Sequence, residues 1–119
     1  MAGGVCLLPW YATLFRADRF EEAVMEIAPL AARYNVIEWE VLRSRDDAYR
    51  FRHFSTWRDK MDFDRYWYGP EFQRWRADYQ GWFQVPIVYE WHDRLGRQEV
   101  RELEEAFEDQ QAEAPAAAD

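Results

Sequence analysis

The chain of 119 residues has little of what would fix a small fold through covalent or metal bonds: one cysteine, Cys6, and two histidines. Cys6 can close no disulfide within the chain, and a domain of this size without paired cysteines is expected in the reducing cytoplasm. His53 and His92 lack the i, i+4 spacing of a helical zinc site. No CxxC, Gly-rich phosphate loop or nucleophile elbow occurs either, so neither a metal nor a bound cofactor is expected. The apolar start, MAGGVCLLPWYATLF, has no basic residue ahead of it and is too short to span a bilayer, so it is expected to be a strand and neither a signal peptide nor a membrane span. Charge is missing from the body as well. Eight acidic groups against Arg101 give residues 99–119 a net −7 of the chain's −8, leaving −1 for the first 98 residues. Nothing in that balance points to nucleic acid, and the acidic tail argues against it.

Aromatic side chains are what is abundant. They make up 18% of the chain, and nine of them lie in residues 57–82, WRDKMDFDRYWYGPEFQRWRADYQGW. Phe72, Trp75, Tyr79 and Trp82 recur at three, four and three residues, which predicts one aromatic stripe on a helix. Met61, Tyr66 and Trp67 predict a shorter helix before it, closed by a left-handed Gly69, with Pro70 opening the next.

The remaining periodicities predict the other elements. Residues 5–15 read as a strand buried on both faces, paired beyond Pro9. Asp18 and Glu21 form a capping-box pattern ahead of a helix whose apolar face is Phe20, Val24, Ile27, Ala31 and Tyr34. Pro29 must kink that helix or end it early, and Asn35 supplies a left-handed stop. Residues 36–43 alternate Ile37, Trp39 and Val41 against Glu38, Glu40 and Arg43. Residues 48–57 alternate Tyr49, Phe51, His53, Ser55 and Trp57 against Arg50, Arg52 and Thr56. A three-residue loop at Arg45, Asp46 and Asp47 would pair Glu40 with Arg52 and Trp39 with His53. Val85, Ile87, Tyr89 and Trp91 predict a last strand.

Strand, helix, strand, strand, helices, strand predicts an α+β, ferredoxin-like split βαβ fold with a four-stranded antiparallel sheet over residues 1–95. An acidic helix is expected over 96–110, carrying Val100, Leu103 and Phe107, and a disordered tail over 111–119. The helix is expected to dock on its own assembly or to recruit a protein partner through residues 97–110. The sheet face away from the helices would carry Glu38, Glu40, Arg50, Arg52, Glu90 and His92.

Over residues 5–92 this pattern resembles the antibiotic biosynthesis monooxygenase superfamily. The strand ending in FSTWRDKMDFDRYWYGPEFQRW is similar to the family's third strand, which closes on an aromatic-x-x-Trp before an acidic turn and two helices. IEWEVLRSRDDAYRFRHF likewise resembles its second and third strands. The resemblance implies a dimeric α/β barrel, a homodimer with its two sheets face to face and a cavity in each subunit between sheet and helices. It also implies activities that range from cofactor-independent oxygenases of fused-ring aromatic compounds to isomerases and haem-degrading enzymes. The haem-degrading members' Asn, Trp and His fall here at Ala12, Tyr66 and Trp75, so that chemistry is not expected. The Asn of the oxygenases has no counterpart near the Trp, because Asn35 is the chain's one asparagine.

The expected function is a cofactor-independent monooxygenase or isomerase acting on an aromatic, polycyclic or polyketide-like small molecule. The alternative is a non-catalytic homodimeric binding or assembly protein. In the enzyme reading His53 moves the proton, Tyr66 supplies a hydroxyl, and Tyr49, Trp57, Trp67, Trp75 and Tyr89 hold the aromatic ligand.

Overall fold

The computed structural model describes residues 3–100. Strand Gly4–Tyr11 (β1) leads to helix Ala17–Ile27 (α1), a 3-10 turn at Pro29–Tyr34, and strands Glu38–Arg43 (β2) and Arg50–Trp57 (β3). Helices Lys60–Trp67 (α2) and Pro70–Asp78 (α3) and strand Glu90–His92 (β4) complete it. The sheet order is β2-β3-β1-β4 with every pair antiparallel, the expected ferredoxin-like arrangement, and the sheet is open rather than closed. Of the helix expected over 96–110, residues 96–100 carry no regular structure, and the rest lies outside the described residues. Among the described residues no helix is long and apolar enough to cross a membrane.

The helices cover one face of the sheet. Cys6, Leu8 and Trp10 from β1 and Phe51, His53, Ser55 and Trp57 from β3 are buried beneath Phe20, Val24 and Ile27 of α1, Phe63, Tyr66 and Trp67 of α2, and Phe72 and Trp75 of α3. Each fully buried aromatic ring contributes about 1.5–3 kcal/mol, so this layer is the main source of stability. α1 forms because Phe20, Val24 and Ile27 share one stripe. It ends at Ile27 because Pro29 lacks an N–H, and the chain continues as a 3-10 turn. Asn35 closes that turn at φ 67°, as expected.

Local features differ from expectation where tertiary partners compete. Asp18 and Glu21 do not cap α1: its N-cap is Arg16, without a side-chain bond, and both carboxylates turn to Arg43 at 3.0 and 2.8 Å. Arg43 therefore lies on the Val41 side of β2, over the Phe51 ring, and not with Glu38 and Glu40. The β2–β3 hairpin is two residues longer than expected, placing Val41 opposite His53, Trp39 opposite Ser55 and Glu40 opposite Phe54. Polar side chains stabilise the longer loop. The Ser44 hydroxyl accepts from the amides of Asp46 and Asp47, and the Asp47 carboxylate accepts from that of Tyr49. A slip of two residues preserves which side chains face the core.

Gly69 is the N-cap of α3 in extended conformation, not a left-handed stop. Its requirement is steric, since a Cβ there would lie 2.3 Å from the Arg65 carbonyl oxygen. α3 ends at Asp78, so the expected stripe keeps Phe72 and Trp75 on the helix while Tyr79 caps it and Trp82 lies beyond. The last strand is only three residues long, and Val85–Tyr89 run beside β1 without joining it. Pro9, by contrast, sits inside β1 opposite Arg52. Ala12 N–H donates to the Tyr49 carbonyl, so by the alternation of an antiparallel ladder the Pro9 nitrogen faces the β4 side, where no β3 bond is lost.

Replacing Asn35 with alanine should destabilise the protein by about 1 kcal/mol in urea unfolding, because a β-carbon is unfavourable in the left-handed region. Glycine at the same position should be tolerated within a few tenths of a kcal/mol.

Candidate functional site

His53 lies in the middle of the covered sheet face, flanked by Val41 on β2 and Leu8 on β1, and it is fully buried. Alternation along β3 puts it there, since Phe51, Ser55 and Trp57 share its side. Its one hydrogen-bond partner is the Trp10 indole, whose Nε1–H donates to Nδ1 at 3.3 Å, while Nε2 is buried with no partner. A neutral imidazole that accepts at Nδ1 carries its proton on Nε2. His53 therefore presents an unused N–H donor to an interior made of rings. Burial pushes its pKa down to about 4, because nothing nearby compensates a desolvated cation. With Nδ1 engaged by Trp10 and the cation disfavoured by burial, the polar atom that the neutral ring leaves free is the donor Nε2–H.

Trp10 is the residue that sequence reasoning passed over. It is fully buried, with ring centroids 5.0 Å from Phe83, 5.3 Å from Trp75, 5.7 Å from Phe20 and 6.3 Å from both Trp67 and Phe72. The space between sheet and helices where a flat ligand was expected is filled by Trp10 and Phe72. Its parity with Leu8 and Ala12 on β1 was the available signal.

The other expected site residues divide into groups. Tyr66 donates its hydroxyl to the Ile27 carbonyl at 2.5 Å, and burial pushes its pKa far above the ordinary tyrosine value, so it is a permanent donor. Trp75 donates to the Ala23 carbonyl at 2.8 Å and Trp57 to the Ser55 hydroxyl at 2.8 Å. These three hydrogen bonds tie rings to backbone or sheet. Trp67 stacks on Phe63, and the Arg76 guanidinium lies 4.0 Å over its ring. Tyr89, half-buried, meets the edges of Phe63 and Trp67. Tyr49 stands apart at the hairpin end, stacked on Tyr11. Trp67 and Trp75 thus converge on Trp10 and through it on His53, whereas Tyr49 does not.

Among the described residues two further side-chain polar atoms are buried without a partner, Arg76 Nη1 and Trp91 Nε1. Desolvation lowers the Arg76 pKa, and its Nη2 donates to the Trp67 carbonyl at 2.9 Å. Cys6 is fully buried and its thiol is pushed up to about 12, which leaves it unreactive. Of five surface depressions of roughly 320–530 Å³ among the described residues, none is lined by His53.

The fold and its ring-filled interior define a small ferredoxin-like α+β protein with a buried imidazole. The family model for antibiotic biosynthesis monooxygenases matches residues 16–78, more than half of the chain, and the protein belongs to that family. Its structure is similar to an antibiotic biosynthesis monooxygenase homologue from Nitrosomonas europaea (18% identity, 78% of this chain and 90% of that one, TM-score 0.70). A protein from Pseudomonas aeruginosa is similar to the same degree (18%, 81% and 97%, TM-score 0.70). So is a variant of SnoaB from Streptomyces nogalater, described as a cofactor-independent oxygenase (19%, 82% and 97%, TM-score 0.62). At these identities the structural likenesses establish the fold alone. No curated protein matches the chain.

The depressed His53 pKa has a definite sign in the stability of the protein. The unfolded state binds a proton near pH 6.5 that the folded state refuses until about pH 4, so the contribution is complete above pH 6.5 and is lost as pH falls toward 4. Urea unfolding between pH 7 and 4.5 should show stability falling toward a total loss of about 3 kcal/mol. His53→Gln, which keeps an acceptor for Trp10 and does not titrate, should flatten that fall.

Proposed function

We propose that the protein is a homodimeric oxygenase that acts on a flat, fused-ring aromatic substrate without a metal or bound cofactor, and that His53 donates a hydrogen bond to the substrate oxygen. The single observation that carries this reading is the unpartnered Nε2–H of a fully buried imidazole. Leaving such a donor unsatisfied costs on the order of 1–3 kcal/mol, and a ligand oxygen between sheet and helices would satisfy it. Family membership and the likeness to a cofactor-independent oxygenase support the reaction class.

The chemistry follows from the donor. Once a ring hydroxyl of the substrate is ionised, its negative charge spreads onto a ring carbon. A hydrogen bond from His53 Nε2–H to the phenolate oxygen stabilises that charge without a proton changing hands. The ring carbon then donates an electron pair to dioxygen. The resulting hydroperoxide breaks at its O–O bond, one oxygen staying as a carbonyl while the other leaves as water, so that CH₂ plus O₂ becomes C=O plus H₂O. The same donor would serve an isomerase acting through an enolate, which would not consume oxygen.

Dimerisation belongs to the proposal because of the uncovered sheet face. Val5, Leu7 and Phe54 lie at its centre, with Glu40 and Glu90 level with them on opposite edges, Glu38 paired to Arg94 and Arg97 at one end, and Arg50 and Arg52 toward the other. A two-fold axis through that centre would bring the Val5 and Phe54 side chains of two copies together.

A second reading is favoured by the packing of Trp10, Phe72, Trp67 and Trp75, which leaves no room beside His53 in this structure. On that reading the protein is a non-catalytic dimeric scaffold. The two readings separate when anthrone- and hydroquinone-type compounds are incubated with the protein in air while oxygen uptake is followed. His53→Leu should reduce turnover by about 10²–10³ if His53 is the donor to the reacting oxygen. Ligand-independent melting, no oxygen uptake, and a His53→Leu variant more stable than the parent would establish the scaffold. Phe54→Glu should convert the dimer to a monomer in light scattering, and an unchanged mass would remove the face-to-face assembly.

A further inference from the structure

We infer that residues 84–89 are a gate, held off the sheet by two prolines, through which a ligand reaches Trp10 and His53; this rests on the reading that the interior takes a ligand. β4 pairs with β1 only from Val5 to Leu7, and the chain touches β1 again where Phe83 bridges Ala12. Between these points β1 supplies four residues, Leu8 to Tyr11, and the facing segment supplies six. Two residues are therefore in excess, and the segment bows outward as a wide bulge.

The cause is legible in the ladder. Leu7 faces Glu90, and on this side of β1 the odd-numbered residues carry the hydrogen bonds, so the next bonded pairs would be Pro9 with Val88 and Tyr11 with Pro86. Neither proline has an N–H to give. The Tyr11 carbonyl accepts instead from Gln84 N–H at 2.8 Å, two residues along, which creates the excess. Among the described residues no backbone hydrogen bond ties 85–89 to β1. Val85 and Val88 are 73% and 65% exposed, while Ile87 and Tyr89 rest on the aromatic core.

Both ends of the segment are pinned and its middle is not, so it can lift without unzipping the sheet, at a free energy well below global unfolding. What it covers is the β1 flank of the interior. Tyr89 meets the edge of the Trp67 ring at 6.1 Å, and Trp67 in turn lies 6.3 Å from the fully buried Trp10. From Trp10 the next group inward is the His53 imidazole. Elsewhere along β1 the β3 ladder runs unbroken from Gly4 to Tyr11.

Access can be read without any turnover. Diethyl pyrocarbonate acylates neutral imidazole, and the chain's two histidines serve as site and internal standard, His92 being half exposed. With site-resolved mass spectrometry, His53 should react more slowly than His92 and at a rate nearly independent of sub-denaturing urea, since a local opening exposes little surface. Ile87→Gly, which removes the bow's anchor on the core, should raise the His53 rate about tenfold. Pro9→Val with Pro86→Val, which restores both missing donors, should lower it by a similar factor. A His53 rate that climbs with urea at the full slope of global unfolding and ignores Ile87→Gly would overturn the gate. Should the proline variant fail to fold, the urea dependence and Ile87→Gly still decide. A gate confirmed by these rates with no oxygen uptake would leave the opening standing and remove the oxygenase. Oxygen uptake with a gate-indifferent His53 would do the reverse.

Discussion

The hydrogen bond from the Trp10 indole to His53 Nδ1 is the constraint around which the interior is arranged. It joins two large polar-tipped rings on neighbouring strands at the centre of the covered sheet face. A buried pair of this kind adds only about 1 kcal/mol of net stability, but it fixes the tautomer of the imidazole and the plane of the indole. With the indole set, its neighbours have little freedom. Phe20, Phe72, Trp75 and Phe83 pack around it at ring separations of 5.0–6.3 Å.

The helical layer is locked to that centre by the same device. Trp75 and Tyr66 are apolar over most of their area and each carries one donor, and these donors go to the Ala23 and Ile27 carbonyls of α1. The Tyr66 bond also satisfies a carbonyl at the helix C-terminus that has no partner within the helix. The layer is thus tied together by ring N–H and O–H groups as well as by burial. The few atoms left without partners, His53 Nε2 above all, stand out against it. An interior this closed can serve a ligand only by opening. The fold has one stretch along β1 where opening breaks no ladder.

Much of the fold was legible because the signals were local. Period-two alternation placed His53, Phe51 and Trp57 on one face. Period 3.6 placed Phe20, Val24 and Ile27 on another, and Pro29 and Asn35 punctuated the chain where they were expected to. Features that depend on competition between partners were not legible. Asp18 and Glu21 have the pattern of a capping box, yet the guanidinium of Arg43, 22 residues beyond Glu21, takes both carboxylates. Ser44 and Asp47 lengthen the hairpin by bonding its amides, which moves every cross-strand partner by two while leaving the faces intact. Candidate site residues were chosen by type and parity, which found His53 but could not separate rings that line a space from rings that fill one.

By itself the sequence determined the order of elements, the faces of the strands, the family, and the presence of one imidazole on the core side. These follow from backbone periodicity and turn chemistry, whose range is a few residues. The tertiary structure alone decided that Trp10 occupies the space between sheet and helices, that Trp10 takes Nδ1 of His53 and leaves Nε2 without a partner, and that Pro9 in β1 and Pro86 facing it interrupt the same ladder. Each of these depends on which groups from distant parts of the chain meet. Close packing and desolvation act only once they do.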